Sequence, residues 1–373
     1  MDGRGLVAAA AALLLAAGCA GGPGRDGDPA PPAPAATPGE TSAQGSARLG
    51  EAAVVATGLR VPWAIAFLPD GAALVSERDS GRVLRIGPDG AVSGVGTVEG
   101  VAPGGEGGLL GLAVPPDFAE NPLVYAYLTT EDDNRIVRMP YDPDRGLGAA
   151  EVVVAGIPRA GRHNGGRIAF GPDGTLYAGT GDAGREELAQ DTDSLAGKIL
   201  RMTPDGEPVA DAPFGNLVHS YGHRNVQGLA WDADGVLYAT EFGQNTFDEV
   251  NVVEAGGNHG WPEVEGAGGA PEYVDPVVTW STDEASPSGA AVAGGALWVA
   301  ALRGERLWRV PLTGDAADPV RSPEALLVGD HGRLRAVETE PGGRAIWVTT
   351  SNHDGRGDPG ADDDVLLRIP LRG

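Results

Sequence analysis

A sixfold internal repeat constrains the fold of this chain more than any other feature. Each copy contains a short apolar run, a turn rich in Pro, Asp or Gly, a second apolar run, a polar gap and a third apolar run that ends near an Arg. The first copy reads PWAIAFLPDGAALVSE and RVLRIGPDG, and the third reads GRIAFGPDGTLYAGTGD and GKILRMTPDG. Short apolar runs bounded by such turns predict antiparallel strands. Repetition of these strand units predicts the blades of a propeller.

The turn between the first two runs of each copy marks the length of the repeat. Successive markers are separated by 47, 56, 61, 60 and 47 residues, near the roughly 40–50 residues of a propeller blade. The markers are Asp70, Asp117, Asp173, Asp234, Gly294 and Pro341. Six copies therefore predict an all-β fold, a six-bladed β-propeller, whose longer intervals hold loops that project from a rim. A β-sandwich is the competing fold, but sandwiches lack this repetition.

The composition indicates one large β domain without a nucleic-acid partner. Sixty Gly and 30 Pro favour strands and turns over long helices. No internal linker follows Ala52, so residues 52–373 are expected to form a single domain. Within it, the segment around 53–61 is expected to close the ring by completing the last blade. The net charge of −25 argues against nucleic acid, because no basic cluster is present to neutralise phosphates.

The N-terminus resembles a bacterial secretion signal. Residues 6–17 form an apolar run that is too short to span a bilayer and is typical of a signal peptide. The string AAGC that ends at Cys19 resembles a lipobox, so residues 1–18 are predicted to be a lipoprotein signal peptide and Cys19 to be lipidated. Residues 19–51, rich in Pro, Gly and Ala, are predicted to be a flexible tether. The expected location is extracytoplasmic, on the outer face of the cell membrane, with ordinary secretion as the alternative.

A dense set of polar residues surrounds a predicted hairpin, GLAWDADGVLYATE, in the second half of the chain. Arg224 and Asn225 precede the hairpin, and Gly243 and Gln244 follow it. Both groups are expected at the same end because the strands are antiparallel. The first group suits carboxylates and carbonyls, and the second, followed by acidic residues, suits a hard cation. The combination predicts an anionic cofactor held with calcium.

Three strings in this region, GHRNVQGLAW, ATEFGQNTFDEVN and GGNHGWP, occur in order. They resemble the signature of the PQQ-dependent glucose/sorbosone dehydrogenases, soluble aldose dehydrogenases built on a six-bladed β-propeller. Further similarity extends over roughly residues 61–372. The resemblance implies a quinoprotein that oxidises an aldose at C1 to a lactone, with PQQ and Ca²⁺ as cofactors and an external electron acceptor. We expect a monomer that contacts the membrane only through its lipid anchor.

The resemblance also implies the residues that meet the substrate. His163, in the string RHNGGR, matches the general base of the family. Imidazole suits this role because its ordinary pKa of about 6.5 lets it accept a proton near neutral pH. Glu106 matches a position at the sugar-binding site, and Trp280 falls where the family has an aromatic residue at the pocket wall. The remaining histidines follow no metal-ligand spacing, so zinc is not expected.

Sugar oxidation needs a hydride acceptor, and no amino-acid side chain is one. The Gly runs of this chain open strands instead of joining a strand to a helix, which disfavours a dinucleotide. PQQ carries three carboxylates and an orthoquinone, and it therefore calls for several cations. The residues implied to bind it are Arg224 and Asn225 at the quinone oxygens, Gln227 nearby, and Arg303, Arg333 and Arg335 at the carboxylates.

Gly243 and Gln244 match the two positions whose backbone carbonyls bind calcium in the family, and calcium accepts carbonyl ligands from any residue type. Phe242 and Gln244 nevertheless differ from the glutamine and proline of the soluble glucose enzymes. Arg162 stands where the glucose-oxidising members have an acidic residue. These departures favour an open site with broad aldose tolerance.

Two other functions fit the predicted fold. One is a propeller lactonase, which hydrolyses its substrate through a divalent metal held by Glu, Asn and Asp side chains. The other is a surface-binding propeller without catalytic activity. The basic residues that flank the blades argue against both alternatives, whereas the fold alone does not separate them.

Overall fold

The computed structural model describes residues 47–373. The predicted signal peptide, Cys19 and nearly all of the predicted tether lie outside the described residues. Residues 47–373 contain 26 strands and one turn of 3₁₀ helix, Glu186–Ala189. In this part of the chain, no helix has the length and hydrophobicity needed to cross a membrane.

The strands form six antiparallel sheets, one for each copy of the repeat. Blades 1 and 2 comprise β3 Pro62–Phe67, β4 Ala73–Glu77, β5 Arg82–Ile86, β6 Val92–Thr97, and β7 Leu109–Ala113, β8 Leu123–Thr129, β9 Asn134–Asp142, β10 Gly146–Leu147, β11 Glu151–Ile157. Blades 3 and 4 comprise β12 Ile168–Phe170, β13 Leu176–Gly179, β14 Lys198–Met202, β15 Val218–Tyr221, and β16 Val226–Trp231, β17 Leu237–Glu241, β18 Phe247–Val253, β19 Val278–Ser281. Blades 5 and 6 comprise β20 Pro287–Ala293, β21 Ala296–Ala301, β22 Arg306–Pro311, β23 Glu324–Leu326, and β24 Leu334–Thr339, β25 Ala345–Thr350, β26 Leu366–Arg372, joined by β1 Arg48–Leu49 and β2 Ala53–Ala56.

The blades are arranged around an axis lined by their first strands. Strand β3 packs against β7 and β24, and β20 packs against β16 and β24. The second strand of each blade is buried along almost its whole length, because neighbouring blades cover both of its faces. The predicted six-bladed propeller is confirmed. Each turn marker lies between the first and second strands of its blade, as the repeat predicted.

Aromatic pairs fill the wedges between neighbouring blades. The rings of Phe67 in blade 1 and Trp347 in blade 6 meet edge to face at 5.2 Å between centroids. The rings of Tyr125 in blade 2 and Phe170 in blade 3 meet in the same way at 5.1 Å. Pairs of this geometry add about 0.5–1.5 kcal/mol beyond the burial of their area. These aromatic pairs therefore help to hold neighbouring blades against each other.

The N-terminal segment closes the ring. Strand β2 pairs with β26, with Ala53 opposite Arg368, and β1 extends the same edge with Arg48 opposite Arg372. The predicted closure is therefore present, although the strand ends at Ala56 and not near residue 61. The predicted tether is too long at its end, because residues 48–49 pair with β26 and belong to the propeller. The residues that follow cross to blade 1, where the Val61 N–H donates to Asp364 Oδ2 at 3.1 Å.

Removing residues 48–60 is expected to lower the free energy of unfolding by at least about 3 kcal/mol. The deletion removes the hydrogen-bonded ladder to β26. It also removes Ala56 and Leu59, which are only 6% and 2% exposed, so the apolar surface that they cover becomes exposed to water. Thermal unfolding of the deletion variant and the full chain measures the effect. A deletion of equal length within residues 20–46 of the predicted tether is the control. Equal unfolding temperatures for the two deletions would show that ring closure does not stabilise the propeller.

Candidate active site

A narrow cavity opens on the axis, where residues from around the whole ring meet. Four of the predicted site residues line it: Glu106, Gln227, Arg333 and Arg335. Three others lie next to this lining. His163 donates its backbone N–H to Glu106, Asn225 Oδ1 accepts a hydrogen bond from Gln227 Nε2 at 3.2 Å, and Arg224 donates to the carbonyl of Phe242, which also lines the cavity. Each of these residues either precedes the first strand of its blade or lies in the first two residues of that strand. Those positions share one end of an antiparallel blade, which explains why residues distant in sequence converge.

The backbone holds His163 in an unusual conformation beside the cavity. Its φ of 55° lies in the left-handed region, which a residue with a side chain adopts only when its surroundings impose it. Here the His163 N–H donates to Glu106 Oε2 at 2.8 Å. On the ring, Nδ1 lies 2.7 Å from Asp182 Oδ1. A carboxylate accepts hydrogen bonds, so Nδ1 carries the proton and Nε2 is left as the basic nitrogen.

Asp182 is a site residue that the sequence reasoning missed. Its Oδ1 also accepts the Gly184 N–H at 2.6 Å, and its Oδ2 accepts the Trp261 Nε1–H at 3.0 Å. Burial alone would raise the pKa of Asp182, but the hydrogen bonds from His163, Gly184 and Trp261 together lower it. The aspartate is therefore charged at neutral pH. The signal was in the sequence, because Asp182 follows β13 at the same blade end where His163 precedes β12.

Hydrogen bonds from their backbone N–H groups hold Arg224 and Asn225 in place. Each residue therefore keeps a side-chain nitrogen that can donate to a ligand. Glu241 accepts both of their backbone N–H groups. Arg224 Nη1 donates to the Phe242 carbonyl at 3.0 Å, and Asn225 Oδ1 accepts the Gly165 N–H at 3.0 Å. Among the described residues, Arg224 Nε and Asn225 Nδ2 are buried without a hydrogen-bond partner. Two buried, unsatisfied donors at one blade end call for acceptor oxygens from a ligand.

Two further guanidinium groups lie around the Trp63 ring. Arg335 lies 5.0 Å and Arg167 lies 4.3 Å from its centroid. Arg335 donates to Gln227 Oε1 at 2.8 Å and to Ser288 Oγ at 3.1 Å, while Arg167 Nε donates to the Gln227 carbonyl at 2.9 Å. Burial lowers the pKa of Arg335 to about 9 and that of Arg167 to about 10. Arg335 Nε and Arg167 Nη2 are buried without a partner in the described structure.

The remaining cavity cations are already paired. Arg333 donates from Nε and Nη2 to Asp354 Oδ2 at 3.0 and 2.8 Å, and both side chains are buried. From the same loop as Asp354, Arg356 reaches across the cavity to Glu106 Oε1 at 3.1 Å. Glu106 therefore connects the His163 backbone to the loop of blade 6.

Two predicted residues lie away from the cavity. Arg303 is 59% exposed and pairs with Asp283, because its neighbour Leu302 takes the direction towards the axis. Trp280 corrects the expectation of an aromatic pocket wall. It lies on β19, the outermost strand of blade 4, where it stacks on Trp308 at 5.1 Å in the core between blades 4 and 5.

The predicted calcium residues, Gly243 and Gln244, follow β17 directly after Phe242, which lines the cavity. Asp248 holds this turn to blade 5, since it accepts the N–H of Gly243 at 2.8 Å and of Ser286 at 2.6 Å. Within residues 47–373, no three His, Cys, Asp or Glu side chains cluster to hold a metal. A cation at this turn would therefore depend on backbone carbonyls and on a bound anion.

The chain is similar to proteins with solved structures and to relatives known from their sequences. A solved aldose sugar dehydrogenase from Streptomyces coelicolor, described in its PQQ-bound form, is 55% identical and covers 86% of this chain and 98% of its own, with a TM-score of 0.83. Quinoprotein glucose dehydrogenase B of Acinetobacter calcoaceticus is 34% identical over 57% of this chain and 52% of its own length. An uncharacterised protein of Synechocystis is 33% identical over 82% of this chain and 85% of its own. Residues 59–368 match the sequence profile of the Glucose / Sorbosone dehydrogenase family. The chain therefore belongs to the glucose/sorbosone dehydrogenase family.

Proposed function

We propose that this protein is a PQQ-dependent dehydrogenase that oxidises aldose sugars at C1 to lactones and passes the electrons to an external acceptor. One observation carries the proposal. Three guanidinium groups, those of Arg167, Arg224 and Arg335, lie at or beside the axial cavity; each has a buried nitrogen without a hydrogen-bond partner, and none forms an ion pair within residues 47–373. Desolvated cations without a negatively charged partner cost free energy, so such an arrangement indicates an anionic ligand.

The residues present fit PQQ. Its three carboxylates match the three unpaired guanidinium groups in charge, and its quinone oxygens suit the free donors of Arg224 and Asn225. Arg333, with its Asp354 partner, and Gln227 line the same cavity. When bound, PQQ supplies the hydride acceptor that the protein lacks.

The chain's own residues supply the proton chemistry. His163 Nε2 takes the proton of the C1 hydroxyl, and Asp182 both fixes the ring and stabilises the positive charge that forms on it. Glu106, at the mouth of the cavity, accepts hydrogen bonds from sugar hydroxyls in exchange for Arg356. Arg224 and Asn225 stabilise negative charge on the cofactor oxygens.

Calcium, bound by the carbonyls of Gly243 and Gln244, is proposed to orient the cofactor. We further propose a monomeric lipoprotein, cleaved after residue 18, anchored through Cys19 outside the cell and held off the membrane by its tether. A lactonase would need a divalent cation on the axis, and the guanidinium groups there would repel one. A binding propeller without catalytic activity would not need a charged Asp182 to orient the His163 ring.

Dye-linked oxidation of an aldose panel by the purified protein tests the proposal. The assay is run with PQQ and calcium together, with each alone and with neither. Activity that requires both, with a lactone as product, is expected. Hydrolysis of lactones that depends on metal but gives no dye reduction would instead identify a lactonase. Absence of both activities and of PQQ binding would identify a binding propeller.

Replacing Trp261 with Phe is expected to lower kcat about tenfold and to leave KM and PQQ affinity nearly unchanged. Phe keeps a ring near Arg224, which lies 5.4 Å from the Trp261 ring, but it removes the N–H that binds Asp182. A hydrogen bond to a charged group contributes about 1.5–3 kcal/mol. Steady-state kinetics and PQQ titration measure the effects. An unchanged kcat would show that Trp261 does not position the Asp182–His163 pair.

A further inference from the structure

Four consecutive backbone N–H groups in the turn after β17 converge on a single oxygen. Glu265 Oε1 accepts the N–H of Gln244 at 2.6 Å, of Asn245 and Thr246 at 3.0 Å each, and of Phe247 at 3.2 Å. The carboxylate comes from a segment 18 to 21 residues further along the chain. Without it, these four donors would have only water to bind, since the turn is exposed.

The direction of the N–H groups determines the direction of the carbonyls. In a trans peptide, the N–H of one residue points opposite to the C=O of the residue before it. The N–H groups of Gln244 and Asn245 point at Glu265, so the carbonyls of Gly243 and Gln244 point away from it. These are the two carbonyls proposed to bind calcium.

The turn and the glutamate are each fixed by their surroundings. A Cβ at Gly243 would lie 1.7 Å from the Phe247 carbonyl oxygen, so the turn closes tightly and admits no side chain there. On the other side, Gly266 donates its N–H to Glu249 Oε1 at 2.7 Å and fixes the backbone next to Glu265.

We propose that Glu265 is a positioning residue that holds the turn at residues 243–247 with its carbonyls directed outwards, ready to bind calcium. The inference rests on the proposed calcium site at Gly243 and Gln244. Glu265 acts through the backbone and contacts neither substrate nor cofactor. Its negative charge also offsets part of the charge of the bound cation.

Two measurements on the purified protein test this role. Hydrogen exchange reports the protection of the amides of residues 244–247 without any ligand. Titration with PQQ at increasing calcium concentration reports the calcium needed for half-maximal affinity. The variants are Glu265→Ala, which removes the acceptor, and Glu265→Gln, which keeps an acceptor oxygen without the charge. Glu263→Gln, at an exposed neighbouring position, is the control.

We expect Glu265→Ala to lose the amide protection and to need about tenfold more calcium. Glu265→Gln should keep most of the protection and show a smaller shift, and the control should match the wild type. Wild-type protection and calcium dependence in Glu265→Ala would overturn the role of Glu265 and leave the calcium site intact. A wild-type protein whose PQQ affinity ignores calcium would instead contradict the calcium site itself, and with it this role.

Discussion

Replacing His163 with Ala is expected to lower kcat for aldose oxidation about 10³-fold while PQQ still binds with wild-type affinity. General-base catalysis contributes about 10²–10⁴-fold, and the free Nε2 of His163 is the basic nitrogen beside the cavity. His163 donates only its backbone N–H to Glu106, and that bond survives the substitution. The sugar-binding side of the cavity should therefore stay in place, and KM should change little.

The conformation of His163 requires a second variant. Because its φ is 55°, Ala at this position would be strained, whereas Asn tolerates the left-handed region better. His163→Asn should fold as the wild type does and lose kcat to the same extent. His219→Gln, on the outer strand β15, serves as the control for loss of an imidazole. If kcat survives in both His163 variants, another group is the base.

Replacing Arg335 with Met is expected to weaken PQQ binding about 100-fold, or about 2.7 kcal/mol, without destabilising the protein in the absence of PQQ. Arg335 is 5% exposed, has an unpartnered Nε and forms no ion pair in the described structure. In the complex it would face a cofactor carboxylate, so its removal leaves a buried charge unpaired. Titration with PQQ at saturating calcium measures the loss.

The stability of the same variant separates a binding role from a structural one. Without ligand, Arg335 is a buried cation supported by hydrogen bonds from its Nη1 to Gln227 and Ser288. Replacing it removes those bonds but also a large desolvation cost, so the free energy of unfolding should lie within about 1 kcal/mol of wild type. Arg321→Met, at an exposed surface pair, is the control. A strongly destabilised variant with unchanged PQQ affinity would make Arg335 a structural residue.

The fold was predictable because each level of the sequence indicates the same structure. Apolar runs of strand length, turn residues at fixed places and a sixfold repeat all indicate short antiparallel blades. Closure by the N-terminal segment was also expected, and β1 and β2 supply the outer pairing of β26 in the last blade. The end of that strand at Ala56 was not predictable, because Asp364 of the last blade directs where residues 57–61 cross.

The convergence of His163, Arg224 and Arg335 was predictable, because each precedes or opens the first strand of its blade, whereas their roles stay proposals. The position of a side chain was not predictable where the side chain could point either towards the axis or away from it. Arg303 sits in a turn where Leu302 takes the inward direction, and Trp280 lies on an outermost strand. Asp182 follows β13 at the blade end where His163 precedes β12, so their contact was open to prediction, whereas only the packed structure brings Trp261 to Asp182, over 79 residues of chain.

A titration of the purified protein with PQQ at saturating calcium, in which binding and dye-linked aldose oxidation are measured on the same samples, is the most direct test of the proposed PQQ-dependent activity. Activity is expected to rise in proportion to bound PQQ and to stop rising when each chain holds one molecule. Aldose oxidation that is independent of PQQ, or a protein that binds no PQQ under these conditions, would rule out the proposed function.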